Sequence, residues 1–224
     1  MTPLELTGRA RTHIDRRAAS PCLLHEHAAA PFLNMCRAAQ ADGFEIEAVS
    51  GYRDFQRQLA IWNGKFAGDR PLYDAAGDVL DAASMTPAQR VEAILTWSAL
   101  PGASRHHWGT DVDLIDRRAL APGYRVVLSA AEFTAGGPFA ALHQWLEQNA
   151  GRFGFFFPYR GILSGVQAEP WHLSFAPVAD RARRDLTAII LQEAISDAPL
   201  LGKAVVLPRI EELHDRFVRT IDWP

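Results

Sequence analysis

Cysteine is almost missing from this chain: two thiols, Cys22 and Cys36, stand in 224 residues. That excludes a disulfide scaffold, and neither has a Cys or His at zinc-ligand spacing, so both read as free, packed thiols. Long apolar runs are missing too. No stretch reaches the roughly 18 apolar residues that span a bilayer, which excludes a membrane-crossing helix. Blocks of about five or six like charges are absent, and the net charge is −3, against the basic excess of a nucleic-acid binder. The chain has no repeat and no low-complexity tract. Its start, MTPLELTGRARTHIDRR, lacks the roughly 7–15-residue apolar stretch of a secretory signal. The expected location is therefore the cytoplasm, or the periplasm if the N-terminus has been trimmed.

What is present is ordinary globular material, 48% hydrophobic and 22% charged. That suits one large domain over residues 1–224, with a motif-bearing core of about 28–177 and C-terminal helices of about 178–224. Residues 28–42 repeat apolar positions at three- and four-residue steps and stop at Gly43, predicting a helix. Phe44, Ile46 and Ala48 alternate with polar residues, predicting a strand that ends in a Ser-Gly turn. A second helix is expected from Asp54 to Trp62, with Asp54 as its cap, and Gly64–Ala83 reads as a loop, either an element that covers a substrate or a disordered insertion. Thr86-Pro87 opens another helix. Strands are expected near Asp111–Ile115, 153–159 and 171–175, and helices over Pro138–Ala150, Arg181–Ala198 and Pro208–Val218. The fold class is α+β, a small antiparallel sheet flanked by helices.

One segment concentrates chemistry. Ser104-Arg-His-His-Trp-Gly-Thr-Asp-Val-Asp113 gathers two histidines and two aspartates, and Glu169-Pro-Trp-His172 follows about sixty residues later. Imidazole with carboxylate suits zinc, and a catalytic site uses three such ligands while leaving a position for water. Glu169, three residues from a histidine, is placed to take that water's proton. His13, His25, His27, His143 and His214 read as hydrogen-bonding residues. No H-E-x-x-H pattern is present, so composition and spacing leave the identity of the site open.

At these residues the chain resembles the zinc D-alanyl-D-alanine carboxypeptidases related to the vancomycin-resistance peptidases, a group that includes L,D-carboxypeptidases and D,D-dipeptidases. Its S-x-H-x-x-G-x-A-x-D pattern matches Ser104, His106, Gly109 and Asp113. Its E-x-W-H pattern matches Glu169, Trp171 and His172. S-G-Y-R followed by Gln matches Ser50 to Arg53 and Gln58, and W-L-x-x-N-A-x-x-x-G-F matches Trp145 to Phe155. The resemblance implies one zinc ion per chain on His106, Asp113 and His172, with Glu169 as catalytic base. It implies that Arg53 contacts the substrate through its terminal carboxylate or the scissile carbonyl, that the sheet carries the metal, and that the substrate is a peptidoglycan-derived peptide. Alternatives are an endopeptidase of the same fold and a zinc-stabilised binding domain without turnover.

The chain departs from the pattern at one point: Asp111 stands where the family has Ala. Positions 111 and 113 of a strand share a face. Asp111 is thus a candidate to orient a ligand histidine, to tune the metal's charge, to bind substrate, or to compete with Asp113 for the ion. Ser104, Gln58 and Trp171 are further substrate-binding candidates, Trp171 as a wall that keeps the pocket dry. His107 reads as packing or as a substrate contact.

Overall fold

Segments whose apolar residues fall on every second position form the centre of the molecule. A computed structural model describes residues 1–15, 22–163 and 165–223. Its main sheet has four strands, β1 (Ile46–Ser50), β4 (Asp111–Asp116), β5 (Phe155–Phe156) and β6 (His172–Phe175), all antiparallel in the order β1-β4-β6-β5. A separate two-stranded hairpin joins β2 (Leu72–Tyr73) to β3 (Val79–Leu80). The helices in chain order are α1 (Pro3–Leu6), α2 (Glu26–Ala41), α3 (Phe55–Ala67), α4 (Pro87–Trp97), α5 (Ala130–Phe133), α6 (Ala140–Asn149), α7 (Ala176–Asp185), α8 (Ala188–Ser196), α9 (Lys203–Val206) and α10 (Ile210–His214).

Alternation along β4 and β6 divides the molecule. Val112, Leu114, Leu173 and Phe175 point to one face, where they pack with Phe32 and Met35 of α2 and Leu142, Trp145 and Leu146 of α6. A side chain on every second position goes to the opposite face, so Asp111, Asp113, His172 and Ser174 turn the other way. A second apolar cluster is built by Phe55, Leu59 and Trp62 of α3, Val91, Ile94 and Leu95 of α4, and Leu191 and Ile195 of α8.

Two expectations change. The Gly64–Ala83 segment is not a plain loop: α3 continues to Ala67, Gly68 ends it in the left-handed conformation, and the β2–β3 hairpin follows. The helix expected over Arg181–Ala198 is two helices. Leu186 is extended, and the Thr187 hydroxyl accepts a hydrogen bond from Ile190 N at 3.3 Å, starting α8 anew. The cap at Asp54 is present, its carboxylate accepting from Arg57 N at 2.7 Å. Among the described residues no helix is long and apolar enough to cross a membrane.

Candidate metal centre

Strand pairing brings the candidate ligands together. Asp113 of β4 lies directly opposite His172 of β6, on the sheet face away from α2 and α6. His106 arrives from a short helical turn, Arg105–Trp108, which ends at Gly109. Gly109 has φ +65°, and a Cβ there would sit 2.5 Å from Ile14 Cδ1 and 2.6 Å from His25 N, so only glycine fits. One ligand atom from each of His106, Asp113 and His172 lies within 4.8 Å of the others, and all three residues are buried.

The backbone and its neighbours fix which ring nitrogen faces the centre. His106 Nδ1 lies 2.9 Å from the Gly51 carbonyl, leaving Nε2 toward Asp113 Oδ2 at 3.4 Å. His172 is turned the opposite way round. Its Nε2 meets Asp111 Oδ1 at 2.9 Å, while Nδ1 faces Asp113 Oδ1 at 3.3 Å and Glu169 Oε2 at 3.0 Å. In each ring an outer acceptor takes one nitrogen and leaves the other facing the centre, the arrangement that metal-binding histidines use.

Electrostatics test whether a cation belongs here. Burial by itself would lower the pKa of His172, but hydrogen bonds to Asp111 and Glu169 and the charge of Asp113 raise it to about 10. Burial would raise the Asp113 pKa, yet the His106 and His172 rings and Arg53 bring it down to about 2. Asp113 Oδ1 is buried and lacks a hydrogen-bond partner. A pocket of acids with an orphaned carboxylate oxygen and two inward imidazole nitrogens fits a zinc ion and its nitrogen and oxygen ligands.

Asp111 is not a substrate-binding residue, and it does not compete for the ion. It is fully buried and saturated with donors: Arg105 Nε at 2.9 Å, His172 Nε2 at 2.9 Å, Ser174 Oγ at 3.0 Å and the Thr110 hydroxyl. Burial opposes its charge, but the Arg105 guanidinium and the His172 hydrogen bond hold its pKa well below the ordinary carboxylate range. Its place is behind His172, orienting that ring.

Gln58 is likewise not on the substrate surface. It is wholly buried, accepts from Arg53 Nη1 at 2.8 Å and donates to the Ala99 carbonyl at 2.7 Å. Arg53 is thereby held over the site, with Nη2 donating to Ser50 Oγ at 3.1 Å and lying 4.0 Å from Asp113 Oδ2. His107 is fully buried; its Nδ1 lies 2.6 Å from the Arg53 carbonyl and its Nε2 accepts from Gly102 N at 3.1 Å, so it packs and does not face a substrate. His13, His25 and His214 make hydrogen bonds to backbone groups, and His143 faces Glu147 at 3.6 Å.

Around the centre opens a cleft of about 280 Å³. His106, Asp113, His172 and Glu169 form its floor, with Arg53, Ser104 and Trp171 on its walls. Tyr159, whose ring lies 5.1 Å from that of His172, and Lys65 also belong to the polar lining. Neither was marked by a motif; position in the folded chain alone brings them in. Tyr73 of the hairpin and Val127 and Leu128, from the segment between β4 and α5, form the less buried side of the lining. Leu128 has φ +56°, a left-handed conformation that costs a leucine about 1–2 kcal/mol.

Comparison with known proteins places this arrangement. The family model described as VanY: D-alanyl-D-alanine carboxypeptidase matches residues 21–178. A D-alanyl-D-alanine carboxypeptidase of Enterococcus faecalis is 29% identical over 170 residues, covering 74% of this chain and 53% of the relative, so the chain spans about half that protein's length. Two solved structures share the fold. VanYB in complex with D-alanine-D-alanine has a TM-score of 0.55 at 22% identity, and a mutant of the vancomycin-resistance D,D-pentapeptidase VanY in complex with Zn(II) has 0.53 at 23%. Each comparison covers 88% of this chain and 90% of the other.

Proposed function

The chain belongs to the D-alanyl-D-alanine carboxypeptidase family, and from that premise we propose that it removes a C-terminal D-alanine from peptidoglycan stem peptides with one zinc ion held by His106, Asp113 and His172. The observation that carries the reading is the convergence of these three ligand atoms with Glu169 and Arg53 on one cleft.

A zinc ion bound there supplies Lewis acidity to a carbonyl and makes a bound water acidic near neutral pH. The remaining work falls to the chain. Glu169 sits at the cleft floor with Oε2 beside His172, where it takes a proton from the attacking water and returns it to the departing amine. Arg53 is pinned by Gln58 and Ser50 next to Asp113, so its charge lies where a carbonyl oxygen turns negative or a terminal carboxylate docks. Two neutral imidazoles and one carboxylate leave a divalent ion with a residual charge of about +1, which favours an anionic transition state. Tyr159 and Trp171 line the cleft with ring surface and displace water from it.

Incubation of the zinc-loaded protein with defined tetra- and pentapeptide stems, followed by mass spectrometry, tests the reading. Free D-alanine is the expected product, and the length of the shortened stem distinguishes cleavage of a D,D bond from that of an L,D bond. Internal cuts that yield larger fragments would instead mark an endopeptidase.

A further inference from the structure

One cation of the cleft takes no part in the reaction just described. Lys65 lies on α3, seven residues beyond Gln58, which puts both on one helix face about 10 Å apart along the axis. Gln58 meets Arg53, whereas Lys65 reaches the cleft wall. Its ammonium donates to Ser98 Oγ at 2.6 Å, and among the described residues no carboxylate stands within ion-pair distance of it. Three donors on one ammonium leave two without a partner from this contact.

The neighbouring charges are already committed. Arg105 is bound to Asp111, and Arg53 is held by Gln58 and Ser50 beside Asp113. Glu169 acts on Lys65 through its charge, but its Oε2 is turned to His172. Burial brings the Lys65 pKa down to about 8, so the ammonium is under-solvated where it stands. Lysine is also scarce: the chain has two, Lys65 and Lys203, against 21 arginines. A compact point charge, unlike the planar arginine fork, receives an oxygen from any direction.

We propose that Lys65 determines specificity by binding a carboxylate of the substrate. This rests on the carboxypeptidase reading above. Two substrate groups carry that chemistry: the terminal carboxylate of the D-alanine to be released, and a side-chain carboxylate on the residue before it. Apart from Arg105, which Asp111 holds, the cleft is lined by two cations, Arg53 beside Asp113 and Lys65 on α3.

Four peptides separate the sources: acyl-X-D-alanine with X neutral or carrying a side-chain carboxylate, each as C-terminal acid and as C-terminal amide. Binding is measured by calorimetry on the zinc-loaded Glu169→Gln protein, with Lys65 present and with Lys65→Met. Removing the carboxylate that Lys65 binds is expected to weaken binding about tenfold or more when Lys65 is present and by less than about twofold in Lys65→Met. Lys65→Arg should keep most of the preference. Loss of the acid-to-amide ratio identifies the terminal carboxylate, and loss of the acidic-to-neutral ratio identifies the side chain. If Lys65→Met leaves both ratios unchanged, with zinc content and melting temperature also unchanged, the proposal is overturned. Release of D-alanine by the protein with Glu169 intact is scored separately, so failure of the peptidase reading leaves the binding ratios interpretable.

Discussion

Replacing Asp111 by asparagine tests the centre at its smallest scale. The change keeps the shape behind His172 and removes the charge that fixes the ring, and zinc affinity is expected to fall about 10–100-fold. Competition with a coloured chelator measures it. Glu169→Ala is expected to act differently: zinc stays bound while kcat falls about 10²–10⁴-fold, read as D-alanine release beside metal content. Undiminished turnover would remove Glu169 from its role. At this scale the motif letters give residue types and spacing, which is why His106, Asp113, His172 and Glu169 were legible as a group. They do not encode which ring nitrogen points inward, so orienting a ligand histidine stood as one of several roles open to Asp111 until the fold put it behind His172. The buried link from Gln58 to Arg53 was not legible for a similar reason: it depends on where the first turn of α3 sets that side chain.

Elements with strong periodicity were legible as well. The two-residue alternation of β4 announced that Asp111 and Asp113 share a face, and the apolar stripe of α6 announced its buried side. The β2–β3 hairpin was not legible, because strands of two residues have no period to detect. The break between α7 and α8 was hidden inside a run of helix-compatible residues, where a single threonine cap decides it. Gly109 offers the sharpest test of an element. Alanine there meets both a positive φ and the Ile14 and His25 atoms, so Gly109→Ala is expected to destabilise by at least about 1–2 kcal/mol and to loosen zinc by displacing the turn that carries His106. Denaturant melts at saturating zinc check the first effect, and metal titration the second.

Across the whole molecule, an ion on the proposed ligands would tie a short helical turn to two neighbouring strands, so its binding would add to folding stability by mass action. Chelation should therefore lower the melting temperature, and added zinc should restore it. Acid acts through other groups as well. Burial lowers the His25 pKa to about 4 and that of His13 in the same direction, while both titrate near about 6.5 when unfolded. Between those values the unfolded chain binds more protons, so this stability is full above about pH 6.5 and is lost as pH falls toward 4. In chelator, His25→Asn should lose about 1–2 kcal/mol less than the parent between pH 7 and 5, measured by denaturant melts at each pH. An equal loss in both would rule His25 out as a source of the acid sensitivity.

Because Asp113 and His172 face each other across adjacent strands, the ion's position does not depend on the span of chain that separates them in sequence. That span carries Val127 and Leu128 at the mouth of the cleft. Grafts that replace the stretch around these two residues should therefore keep the metal in place while altering which peptides enter, a division of labour that makes the mouth replaceable and the floor fixed.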